Sequence, residues 1–71
     1  MSASAFQDLT ERQFSVWREL ALSETTKGIA LKFNVSAKTV EYHRAELMRR
    51  LRIFDIAGLT RAAIRNGLIQ A

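Results

Sequence analysis

The chain has 71 residues, of which 48% are apolar and 25% charged, with three glycines, no proline, no cysteine and a formal charge of +4. That composition describes one small globular domain and excludes a disordered tail or a multidomain enzyme. Without cysteine there is no disulfide framework or thiolate metal site, and the single His43 argues against a histidine metal centre or a histidine-based triad.

No alternating strand pattern appears, and apolar residues recur at intervals of three and four, so the chain reads as all helix. Residues 1–8 read as a flexible lead and 9–71 as the domain, with helices over about 11–22, 26–33, 37–51 and 56–66. Thr10, Glu11, Arg12 and Gln13 form a capping box that starts the first helix, and Leu9 with Phe14 supplies the hydrophobic staple. Phe14, Trp17, Leu20 and Ala21 make its buried stripe, and Arg12, Ser15, Arg18 and Glu19 its polar side. Trp17 and the phenylalanines are expected in the core.

Thr25 or Thr26 caps a short second helix with Ile29, Ala30 and Phe33 inward. Asn34 tolerates the left-handed conformation that ends a helix, Val35 is an apolar plug, and Ser36 caps the third helix. About three residues therefore join two helices, the connection of a helix-turn-helix unit. The third helix buries Val40, Leu47 and Leu51. Asp55 caps a fourth, which ends at Gly67; Leu59, Ala63 and Ile64 pack inward, and Leu68 and Ile69 fold back over it.

The charge is unevenly spread. Bases and acids balance as far as residue 37; from Lys38 onward Lys38, Arg44, Arg49, Arg50, Arg52, Arg61 and Arg65 face only Glu41, Glu46 and Asp55. A polyanion, with nucleic acid the commonest, is the natural partner of such a surface, although solvated arginine faces carry the same composition. With Val40 inward, the 100° step of a helix turns Lys38, Tyr42, Ala45 and Arg49 outward, with Thr39 and Glu41 on the flanks. Small and hydrogen-bonding side chains thus occupy the amino-terminal half and a basic cluster (Arg49, Arg50, Arg52) the rest, which suits a helix entering a major groove amino end first. Glu41 can accept from a cytosine amino group, Ala45 and the Tyr42 ring can meet a thymine methyl, and Lys38 can serve a guanine edge or a phosphate. Thr25, Thr26 and Lys27 at the start of the second helix offer amides, hydroxyls and a cation to a phosphate. Plain N-caps, and a protein partner for Tyr42, are the competing readings. His43 reads as an edge residue, and Arg44 as a side chain reaching outward past its own stem.

These residues resemble the carboxy-terminal DNA-binding domain of LuxR/FixJ/GerE-type transcription regulators. The resemblance runs from about Leu9 to Ile69. It rests on Leu9-Thr10-Glu11-Arg12, on Lys27 with Ile29-Ala30, on residues 35–44 and 47–51, and on Ala63-Ile64 with Gly67-Leu68-Ile69. It implies a four-helix domain bound to double-stranded DNA. Positions matching Glu41, Tyr42 and Ala45 then face bases, and those matching Thr25, Thr26, Lys27, Lys38, Thr39 and Arg49 lie near phosphates; by its own chemistry Lys38 is placed with the base-reading set, and Arg50 is added to the phosphate set. It also implies a homodimer on DNA joined through the last helix, here Ala62, Arg65 and Asn66, with RNA polymerase as a further candidate partner.

Three departures from that family pattern carry expectations. Gly28 replaces a longer helix former, at a cost of about 1 kcal/mol, and is expected to loosen the second helix. Ser23-Glu24 replaces a glycine and an apolar residue, which reshapes the first turn and brings an acid near the phosphate clamp. Arg52 stands where a glycine often ends the third helix, so that helix is expected to extend or to end without a left-handed cap.

The leading expectation is a sequence-specific DNA-binding domain of a bacterial transcriptional regulator, in the cytoplasm on the nucleoid. The alternative is a helical protein-interaction adaptor of the same fold. No nucleophile and base pair or metal constellation is present, so no enzyme activity, metal or cofactor is expected. Nothing approaches 18 consecutive apolar residues, and no membrane contact is expected.

Overall fold

Four polar N-caps start the helices of this chain. In a computed structural model, which describes residues 8–70, these are α1 (Glu11–Ala21), α2 (Thr26–Phe33), α3 (Ala37–Leu51) and α4 (Ile56–Arg65). The side chains of Thr10, Thr25, Ser36 and Asp55 each accept from the amide three residues on. At Thr10 the capping box is complete, since Gln13 Oε1 also accepts from the Thr10 amide at 3.0 Å. The expected lead lies outside the described residues except for Asp8.

The helix ends share a second device. Ser23, Asn34, Arg52 and Gly67 all have positive φ, between 57° and 76°. The next amide in each case turns back to a carbonyl five residues earlier: Glu24 to Glu19, Val35 to Ala30, Ile53 to Met48 and Leu68 to Ala63, at 2.8 to 3.2 Å. These are Schellman closures, which satisfy carbonyls that a helix end otherwise leaves open. One expectation is thereby corrected: α3 does end on a left-handed residue, Arg52, and the first turn closes in the same way on the left-handed Ser23. The closing hydrogen bond and the partly buried packing of the following Ile53 offset the strain of about 1 to 2 kcal/mol that L-residues meet there.

The core joins all four helices. α1 packs against both α3 and α4, and α2 lies on α3. Trp17, Leu20, Ala21, Ile29, Val40, Leu47 and Leu59 are buried with Val16, which the expected stripe of α1 omitted. A helix covered on two sides needs a wider apolar arc than one lying on a single surface. Trp17 Nε1 donates to the Leu59 carbonyl at 2.9 Å, which ties α1 to α4 across the core. Leu68 and Ile69 pack back on it as expected.

Three further expectations change. Glu19, assigned to the polar side of α1, is 8% exposed and accepts from Lys32 Nζ at 2.9 Å, because that side of α1 faces α2. On α4 the inward set is Leu59, Ala62 and Ala63, so Ala62 is 3% exposed and Ile64 is 37% exposed, the reverse of the expected pair. The small Ala62 side chain is what fits where α4 presses against α1, and Ile64 is turned out by the same rotation. Among the phenylalanines, Phe14 and Phe33 pack on the core, Phe54 is 72% exposed, and Phe6 lies outside the described residues. Phe54 comes directly after the plug residue Ile53, which packs on the core, in the connection to α4.

Candidate nucleic-acid interface

The outward face of α3 is set by what holds its back. Val40 and Leu47 are fully buried, two turns apart, and fix the rotation of the helix against α1 and α2. Lys38, Glu41, Tyr42, Ala45 and Arg49 are consequently exposed, with Tyr42 at 62%. Thr39 is half-buried, and its hydroxyl pairs with Ser36 Oγ at 2.9 Å. The Tyr42 ring meets the edge of His43, with centroids 5.6 Å apart and planes at 65°, which limits its freedom on an otherwise open face.

The basic residues are not equivalent. Arg49 Nη2 donates to Glu46 Oε1 at 2.6 Å. That hydrogen bond holds the Glu46 carboxyl below the usual glutamate range against the opposing effect of desolvation, with the charges of Arg49 and Arg50 adding to it. The same contact raises the Arg49 pKa. Both side chains lie at the surface, so this pair orients Arg49 more than it stabilises the fold. Arg50 turns the other way, donating from Nη1 to the Asp8 carbonyl at 3.1 Å, on the flank of α3 next to the start of the domain. Lys38 and Lys27 are exposed and make no ion pair with an acid among the described residues.

At the amino end of α2, Thr25 Oγ1 accepts from the Gly28 amide at 2.9 Å, so the capping reading of Thr25 holds. Its hydroxyl hydrogen stays available to a second acceptor. Thr26 is half-buried. Gly28 has a purpose that propensity alone hides. A Cβ added there would stand 2.5 Å from Glu24 Oε1, so the missing side chain makes room for the Glu24 carboxylate over the first turn of α2. α2 is intact around it, and Gly28 and Glu24 are best understood as one feature.

Of the expected contact residues, Glu41, Tyr42, Ala45, Lys38 and Arg49 share one exposed face of α3, and Thr25, Thr26 and Lys27 share the start of α2. Arg50 stands apart from that face. Of the expected dimer set, Arg65 and Asn66 are exposed; Asn66 Nδ2 donates to the Ala62 carbonyl at 2.8 Å, and Ala62 has no surface to offer a second copy. Glu46 is the contact that sequence reasoning missed, although an acid three residues before Arg49 is the spacing that pairs charges on a helix.

Comparison with known proteins accords with this geometry. A putative transcriptional regulator of Pseudomonas aeruginosa is 34% identical over 67 residues, which is 94% of this chain and 32% of that protein. The response regulator UvrY of Escherichia coli is 32% identical over 96% of the chain and 31% of its own length. The transcriptional regulatory protein FixJ of Rhizobium meliloti is 33% identical over 86% and 30%. The chain thus spans about a third of the length of these curated relatives. No solved structure gives a significant match. The model of the bacterial regulatory proteins of the luxR family matches residues 7–63, most of the four-helix unit described above, and the chain belongs to that family.

Proposed function

We propose that this domain binds double-stranded DNA sequence-specifically as the DNA-binding part of a bacterial transcriptional regulator, with α3 in the major groove. The observation that carries this reading is the exposed face of α3, with Lys38, Glu41, Tyr42 and Ala45 ahead of Arg49 on a helix held from behind by Val40 and Leu47. Glu41, Tyr42 and Ala45, with Lys38, read base edges; Thr25, Thr26, Lys27, Thr39 and Arg49 engage phosphates. Arg50 joins them only if DNA binding draws it away from the Asp8 carbonyl. Family membership and the names of the relatives support a regulator of transcription, and nothing in the chemistry of the face calls for a catalyst, metal or cofactor.

Two copies bind a two-fold site in this reading. The outer side of α4, with Ile64, Asn66 and Arg65 at its end, forms a modest interface that DNA completes. RNA polymerase is the machinery such a complex addresses, on the nucleoid in the cytoplasm.

The test is selection of duplexes from a random pool, followed by anisotropy titrations at several salt concentrations. A defined motif, with log affinity falling by about 0.9 per phosphate contact for each log unit of salt, supports the reading. Failure to bind at low salt overturns it. One observation favours the adaptor instead: Glu46 on Arg49 and Glu24 over α2 both remove positive potential from the proposed DNA face. A partner that survives nuclease treatment while duplex binding is absent would select that reading.

A further inference from the structure

We infer that the recess between the end of α3 and the outer side of α4 is a docking site for an acidic protein segment that carries a large apolar side chain. The recess measures about 450 Å³ and is lined by Arg52, Phe54, Asp55, Gly58, Arg61 and Arg65. It goes beyond the DNA-binding reading and uses none of the residues assigned to bases or phosphates, and it shares only Arg65 with the proposed two-fold contact.

Charge identifies the occupant. Three arginines and one carboxylate line the recess, and none of the three arginines makes an ion pair among the described residues. The carboxylate is already engaged, since Asp55 Oδ1 accepts from the Gly58 amide at 2.7 Å as the cap of α4. Gly58 is packed closely by its neighbours, since a Cβ there would meet Asp55 Oδ1 at 2.6 Å and Ile53 Cγ2 at 2.7 Å, so the cap and the plug residue are held firmly beside the recess. Phe54 lines the recess with its ring 72% exposed, and Arg52 is held in a left-handed conformation that is costly for its residue type. An exposed ring, a strained cation and two more cations on one rim suit a partner whose carboxylates fork onto the guanidiniums while an apolar side chain covers Phe54.

The alternatives use the recess less well. A second copy seated in the recess would set Arg52 and Arg61 against the same residues, and facing like charges oppose that contact; the two-fold contact proposed above uses only the end of α4 and is completed by DNA. Duplex DNA would satisfy the arginines and leave Phe54 uncovered. The recess also begins at the carboxyl end of α3, about 20 Å along the axis from its amino end at 1.5 Å per residue, behind the base-facing residues.

The experiment is an NMR titration of the isotope-labelled chain with a synthetic peptide of about twelve residues, rich in Asp and Glu around one Leu, alongside anisotropy with a random-sequence duplex. Saturable shifts centred on Arg52, Phe54, Gly58, Arg61 and Arg65 are expected, reduced by salt and by replacing the peptide Leu with Ser. Phe54→Ala should weaken the peptide about fivefold and Arg61→Glu at least about tenfold, with the Phe54→Ala duplex affinity within about twofold of the parent. Both positions are exposed, and an unchanged melting temperature verifies the fold. Absence of saturable shifts, shifts confined to Lys38 and Arg49, or shifts that depend on protein concentration without peptide would each overturn the inference. So would a Phe54→Ala loss equal for peptide and duplex, which makes the recess part of the nucleic-acid footprint. Loss of duplex binding in the parent chain with peptide binding intact would instead sink the DNA reading and leave this one standing.

Discussion

The connection from α2 to α3 and the connection from α3 to α4 use one plan with different residues. Each leaves its helix through a left-handed residue, closes a bond back to the helix, inserts a plug, and ends on a capping side chain. In the first, Asn34 suits the left-handed region, Val35 is the plug and Ser36 caps at once. In the second, Arg52 occupies a conformation that its side chain disfavours, and an extra residue, Phe54, stands in solvent. The first connection is relaxed and serves to hold α3 at a fixed angle. The second retains strain and an uncovered ring, the two features from which the docking inference starts.

The largest way to break both connections together is to remove what they share. Leu47 is fully buried in α3, and Leu47→Ala should destabilise the domain by about 2 to 5 kcal/mol, read from denaturant or thermal unfolding. A loss under about 1 kcal/mol would mean that α3 is not seated on its core as described. The exposed side of the same helix should respond in binding and not in stability. Tyr42→Ala and Glu41→Ala should each change the selected sequence and cost about 1 to 3 kcal/mol at the preferred site, while the melting temperature stays put. The same selected motif from both variants would remove α3 as the reader.

The contrast between the two turns can be sharpened by glycine. Arg52→Gly should stabilise the fold by about 1 kcal/mol, because relief of the left-handed strain exceeds the added freedom of the unfolded chain, whereas Asn34→Gly should change stability by only a few tenths. Equal responses in chemical denaturation would erase the distinction. The smallest effect is expected at α2. Glu24→Gln removes a negative charge from the proposed phosphate contact and should tighten random-duplex binding about two- to fivefold at low salt, the scale of a charge at a helix terminus. Gly28→Ala, which forces the carboxylate aside, should move affinity in the same direction, and the two changes together should fall short of additivity. Additive or opposite effects would show that Glu24 and Gly28 are separate features.

Much of this was legible in the order of residues. The caps Thr10, Ser36 and Asp55, the left-handed Asn34 and Gly67, and the outward set on α3 arise from local chemistry with a period of 3.6, and each stands where that chemistry puts it. The rotation of α4 was not legible. Alanine and isoleucine both qualify as inward residues, and only the close approach of α1 selects Ala62 over Ile64. The burial of Glu19 was hidden for a similar reason, since its partner Lys32 lies on another helix. The left-handed Ser23 and Arg52 carry no local signal either, because neither residue type favours that conformation.

By itself, then, the sequence determined where helices begin, most of where they end, and which face of α3 looks outward, because caps, turns and periodicity act within a few residues. Tertiary structure decided the rest: which of two apolar residues α4 buries, that Glu19 is clasped by Lys32, that Arg49 rests on Glu46 while Arg50 reaches Asp8, and that an uncovered Phe54 shares a recess with three arginines. Those outcomes depend on helices distant in sequence meeting at particular distances, and a pattern of residues along one helix carries no record of the surface that will be pressed against it.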